Sequence, residues 1–126
     1  MEVSLMMVAV PVWQGRVSPV FDTALRLHCV DVEAGVINYR QEVRLEATAP
    51  YERARQVRQI GVDVLICGGI SMPLGRMLRL EGVEVIPFVA GEIDEVLKAY
   101  STGKMNDSVF AMPGCRGRQR RRRRRG

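Results

Sequence analysis

Histidine and cysteine are scarce in this chain: His28 stands alone, and Cys29, Cys67 and Cys115 form no C-x-x-C pair. That count excludes a self-contained four-cysteine zinc or iron–sulfur site. No Ser/His/Asp or Cys/His relay is apparent either, because the one histidine is not near Cys67 in sequence. An odd, sparse set of thiols without an export signal reads as reduced cysteines. Long apolar runs are missing too. The longest, Leu5 to Trp13, is interrupted by Pro11 and is far too short to span a bilayer. No charged-then-apolar leader with a small-residue cleavage site precedes it, so a cytoplasmic protein is expected.

What is present suits one globular domain. The chain has 126 residues, 47% of them hydrophobic and 26% charged, enough to bury a core without staples. The net charge of +5 is misleading: residues 116–126 carry eight arginines and no acid, and removing them leaves −3. The basicity therefore belongs to a terminal stretch and the rest is mildly acidic. Residues 1–112 read as one α/β domain and 113–126 as a Gly- and Arg-rich disordered tail.

Leu5 to Val10 is apolar almost throughout, as in a strand covered on both faces, with Pro11 ending it. Val12 to Phe21 holds Gly15, Ser18 and Pro19 and is expected to be a loop. Leu25 to Val32 and Val36 to Val43 read as two strands of a hairpin about Glu33-Ala34-Gly35. A helix follows from Pro50 to a stop at Gly61, with Tyr51, Ala54, Val57 and Ile60 inward and Arg53, Arg55 and Gln59 outward. Val62 to Cys67 is a buried strand. Ser71 caps a second helix with Leu74, Met77 and Leu78 inward, and Met72 and Met77 read as core filler. Val83 to Pro87 is the last strand, and Glu92, Asp94 and Glu95 open a third helix.

Three strands in a meander followed by two right-handed crossovers give a mixed five-stranded sheet, order 3-2-1-4-5, with strand 2 antiparallel. The first two helices share a face and the third covers the other. This is a ribonuclease-H-like α/β arrangement, and fold alone does not settle function.

In such a sheet a ligand favours the carboxyl ends of the parallel strands where connections diverge. The expected crevice lies between loops 12–21 and 68–73. Gly68 and Gly69 would let backbone amides approach a ligand, and the helix capped by Ser71 offers further N–H groups. Arg16 adds charge and Ser18 a hydroxyl. Cys67 closes its strand at the mouth, where helix-terminal amides would lower its pKa. A thiolate beside amide donors suits an anionic sulfide-rich cluster, and a phosphate almost as well. Each feature also has a plainer reading: the Gly-Gly turn as a connector, Cys67 as a small core residue, and His28 as a packed strand residue. Trp13 either shields a ligand or anchors its loop.

The same segments carry a family resemblance. Val8-Ala9-Val10-Pro11 with Gly15-Arg16-Val17-Ser18-Pro19-Val20-Phe21, and Gly61 through Ile70 with its Cys67-Gly68-Gly69, resemble the dinitrogenase iron–molybdenum cofactor biosynthesis family, the NifX/NifB-type domain. Gly82-Val83-Glu84-Val85 and Ala99 through Lys104 fit as well. The resemblance implies a non-catalytic carrier for an iron–sulfur or molybdenum–iron–sulfur cluster, working between donor and acceptor proteins. It implies Arg16, Ser18, Phe21, Cys67, Gly68 and Gly69 as cluster-lining residues, and Cys115 as a second thiolate. Where many members read His-Phe-Gly this chain has Val20-Phe21-Asp22, so a candidate histidine ligand is missing.

A nuclease is the enzyme alternative on this fold. It needs carboxylates gathered at one site, yet the first strand has no acid and Asp63 lies at the wrong end of its strand, so an enzyme is not expected. Two further rivals are an anion or small-metabolite sensor using the Gly-Gly loop, and nucleic-acid or polyanion binding through Arg120 to Arg125.

Overall fold

A computed structural model describes residues 5–105 and 110–112. The strands are β1 (Leu5–Trp13), β2 (Arg16–Val17), β3 (Arg26–Glu33), β4 (Val36–Arg44), β5 (Val64–Ile66) and β6 (Glu84–Ile86). The helices are α1 (Pro50–Ile60), α2 (Met72–Leu80) and α3 (Ile93–Ser101). The main sheet runs β4-β3-β1-β5-β6, with β2 attached to β1. Strand β3 is antiparallel to both neighbours, whereas β1, β5 and β6 are mutually parallel. The expected order 3-2-1-4-5 is therefore the order found.

Val8, Ala9 and Val10 of β1 are fully buried because the sheet is covered on both faces. Alternate side chains of a strand point to opposite faces. Ala9 accordingly joins Ala54, Val57, Leu74 and Leu78 beneath α1 and α2, and Val8 and Val10 join Val96 and Leu97 beneath α3. The strand continues through Pro11, contrary to expectation. Pro11 sits where the second partner of β1 changes from β5, registered at Val8 and Ala9, to β2, registered at Val12 and Trp13. At such a changeover the loss of one N–H is tolerated.

Helix α1 opens on Ala49 and Pro50 and stops at Gly61 in the left-handed region at φ 97°. Ser71 caps α2, its Oγ 3.4 Å from the Leu74 N–H. Three residues depart from their expected places, the first being Tyr51, expected inward on α1 but 56% exposed at its outer start. Met72 is exposed at the outer start of α2. Arg53, expected to face solvent, is 3% exposed: its Nη1 donates to the Ala24 carbonyl at 2.8 Å and more weakly to that of Phe21 at 3.4 Å. Its guanidinium carbon lies 5.5 Å from the centre of the Phe21 ring. The long stem is buried with the core while the head bonds the loop carbonyls, so the helix turns this arginine inward.

Candidate functional site

The β1–β2 hairpin turns on Gln14 and Gly15, with φ of 53° and 77°. Two successive positive φ values make the type I′ turn whose twist matches the flanking strands. The hairpin is tied to the start of α3 by Val17 N–H to Gly91 O at 2.9 Å and Ile93 N–H to Gly15 O at 3.0 Å. Arg16 is exposed on it. Ser18 is 7% exposed, its N–H bonded to the Pro11 carbonyl at 2.8 Å.

The expected crevice between loops 12–21 and 68–73 is closed. Gly69 N–H donates to Pro19 O at 2.7 Å and Phe21 N–H donates to Gly69 O at 2.8 Å, so the two loops pair with each other. A Cβ on Gly68 would stand 2.6 Å from the Ser18 carbonyl oxygen and 2.7 Å from that of Pro19. The Gly-Gly step thus admits the chain's own backbone at this point. Asp22 accepts the Ser71 N–H at 2.8 Å. The amide end of α2 therefore already has a carboxylate, which disfavours a second anion there.

Cys67 does not reach the mouth. It is fully buried with Phe21 and Leu74, held by its N–H to Ile86 O and by Val89 N–H to its own carbonyl, both 2.9 Å. Burial pushes its thiol up to about 12, with Arg79 opposing and Asp22 adding to the rise. The lowered pKa expected from helix amides is thereby corrected: desolvation outweighs them. Phe21 is likewise wholly buried. Cys115 and the 113–126 tail lie outside the described residues. The structure thus brings Ser18, Phe21, Cys67, Gly68, Gly69 and Ser71 into one packed junction, and leaves Arg16 outside it on the hairpin.

An open concavity is lined instead by the hairpin and the loop that follows it. It is a groove of about 790 Å³ between β1–β2, residues 18–26 and the ends of β3 and β4. That volume is typical of small-ligand sites. Trp13, Val20 and Leu25 give it an exposed apolar floor. Arg26 and Arg44 are direct cross-strand partners and both line it. Like charges placed opposite each other on a sheet destabilise it unless something neutralises them. Glu42 is the carboxylate on the wall, and it faces His28 across the strands, Oε2 to Nδ1 3.9 Å.

Arg26 and Arg44 escape a reading of the sequence because their pairing depends on a bulge. The tight turn sets Glu33 opposite Val36, and an unbroken register would oppose Arg26 to Val43. The register shifts at Asp31/Val32 and brings Arg44 to Arg26 instead. A one-residue slip moves a side chain to the other face of the sheet, and strand periodicity alone does not reveal where one occurs.

Sheet order and groove together define a small α/β domain of ribonuclease-H-like topology with an arginine-lined groove. Comparison with known proteins narrows this further. The profile of the dinitrogenase iron–molybdenum cofactor family matches residues 4–103. The chain belongs to that family. Its fold is similar to the crystal structure of PH0822, at 25% identity and TM-score 0.74, covering 79% of this chain and 93% of that one. It is also similar to a candidate NifB protein from Thermotoga, at 25% identity and TM-score 0.60, covering 79% and 90%. A candidate dinitrogenase from Methanocaldococcus jannaschii shares the fold at 14% identity and TM-score 0.66, covering 79% and 90%. No curated protein matches the sequence.

Proposed function

We propose that the chain is a non-catalytic carrier that binds an anionic metal–sulfur cluster, iron–sulfur or molybdenum–iron–sulfur, in the groove beside the β1–β2 hairpin. The observation that carries this reading is the Arg26–Arg44 pair, two opposed cations on the wall of a groove of ligand size. Family membership supports the nature of the cargo. Among the described residues no three His, Cys, Asp or Glu side chains come together. In this reading the groove holds the cluster by outer contacts, its sulfides accepting guanidinium N–H bonds, with Trp13 and Leu25 shielding its flank. Arg16, on the hairpin that forms one wall, adds charge at the rim, and Ser18 lines the groove. Cys67, Gly68, Gly69 and Ser71 serve this site by fixing the loop that bears Ser18. Loose outer contacts suit a cargo in transit, received from one protein and released to another.

Anaerobic incubation of the purified protein with iron, molybdate and sulfide, followed by gel filtration, metal analysis and visible spectroscopy, tests the reading. Stoichiometric metal with sulfide charge-transfer bands is expected. Binding should fall by about tenfold or more in Arg26→Gln/Arg44→Gln, from the loss of two charge-assisted contacts, and persist in Cys67→Ser. A colourless, metal-free protein would overturn the carrier reading. Full retention in the double variant, with loss in Cys67→Ser, would move the site to the loop junction.

A further inference from the structure

Three of the eight large apolar side chains that the described residues leave in water are gathered on the groove. They are Trp13, Val20 and Leu25, which are 58%, 45% and 62% exposed. Clustered exposed apolar surface edged by charge marks a contact with another molecule. The charge here is the Arg26–Arg44 pair, opposed on neighbouring strands. Glu42, the carboxylate on the wall, has its ionic contact with His28 at 3.9 Å rather than with either arginine. The pair is therefore left to an outside anion.

In the carrier reading that anion is a cluster, and a polynuclear cluster carries sulfides on every face. The groove supplies guanidinium donors from one wall only, so the far side of the cargo is left to water. Charge constrains what covers that side. A partner bringing carboxylates would compete with the cargo for Arg26 and Arg44 and empty the groove. A second copy of this chain brings another arginine pair and another apolar rim, related by the two-fold axis usual in homo-oligomers. Without an anion the two arginine pairs repel each other across such a contact. The three apolar side chains do not offset this, because they offer much less than the about 800 Å² per partner of a stable interface. With the anion between them, four guanidinium groups converge on one cluster and the apolar rims close together.

We propose that the groove is half of a site: two copies of the chain close around one cluster, and this dimer forms only with the cargo present. The inference rests on the carrier reading and adds to it the partner of the loaded state. Release then follows from parting the two copies.

The test sediments the full chain at several concentrations, before and after anaerobic loading with iron, molybdate and sulfide, with detection of protein and of visible absorption. A monomer is expected before loading. After loading, a dimer should carry the visible bands, with half as many clusters as chains. Bound cluster per chain should fall on dilution, because each site needs two chains. Trp13, the one tryptophan of the chain, should become protected from acrylamide quenching. Leu25→Gln removes an apolar contact from both copies at once and should weaken the loaded dimer by about tenfold or more. A monomer carrying one cluster per chain would overturn the proposal and leave the carrier reading standing. So would a dimer already present without cluster, or a loaded dimer unaffected by Leu25→Gln. Protein that takes up no metal at any concentration would overturn both.

Discussion

A methyl group at position 68 would meet two backbone carbonyl oxygens, of Ser18 and Pro19, inside 3 Å. The Pro19 oxygen cannot withdraw without breaking the bond it accepts from the Gly69 N–H. Gly68→Ala is therefore expected to lose about 2–3 kcal/mol of stability by overpacking, read as a lowered denaturant midpoint. Cys67, the residue before it, gives a pH signature. An ordinary thiol value of 9.0 is raised to about 12 in the fold. Below pH 9 both states hold the proton and its stabilising effect is complete. Between 9 and 12 the unfolded chain releases a proton that the folded chain keeps, so stability falls by up to about 1.4 kcal/mol per pH unit. Denaturant unfolding at pH 8 and pH 10.5 should show a shallower decline in Cys67→Ala than in the parent. An equal decline in both would mean that Cys67 ionises in the fold as it does unfolded. Both residues were legible in sequence as special, but not for the right reason. A glycine that admits a ligand and a glycine that admits its own chain look alike in sequence. A cysteine at a strand end does not reveal whether the next loop folds over it.

At the scale of elements, strands and helices were largely readable, since apolar period, the stop signal at Gly61 and the Ser71 cap placed α1, α2, α3 and every long strand. What was not readable came from partners distant in sequence. Strand β1 passes Pro11 because β2 is there to receive it, and Arg53 turns inward because the loop of Phe21 and Ala24 presents carbonyls to it. The groove likewise depends on the bulge that opposes Arg26 and Arg44. The β3–β4 turn that starts this register is itself imperfect. Ala34 and Gly35 have φ of 52° and 80°, a geometry that favours Asn-Gly and strains alanine. Ala34 is exposed, so Ala34→Asn is expected to raise stability by about 0.5–1 kcal/mol, with the groove unchanged. Thermal unfolding checks it, and a lower melting temperature would show that the turn contributes less strain than its dihedrals indicate.

For the whole molecule, charge is divided along the chain. With the eight arginines of residues 116–126 set aside, the net charge of +5 becomes −3. Within the described residues the positive side chains nonetheless gather locally: α1 has three arginines against one acid, and α2 has two against none. The groove and a small pocket that shares Leu25 and Arg44 with it bring Arg44 together with Arg26 and Arg53. Two kinds of anion recognition should therefore be separable. A concave site selects a compact anion by geometry, whereas a run of arginines attracts any extended polyanion through counterion release. Truncation after Met112 is expected to abolish binding to a labelled DNA duplex, because the remaining net charge repels phosphate, while metal–sulfur cluster binding in the groove persists. In the full chain the logarithm of the DNA association constant should fall with the logarithm of salt at a slope of about −5 to −7, for six to eight neutralised phosphates. Fluorescence anisotropy at several salt concentrations measures both quantities. Undiminished DNA binding by the truncated chain would place the polyanion site on the arginines of α1 and α2, where local charge would have overridden the net.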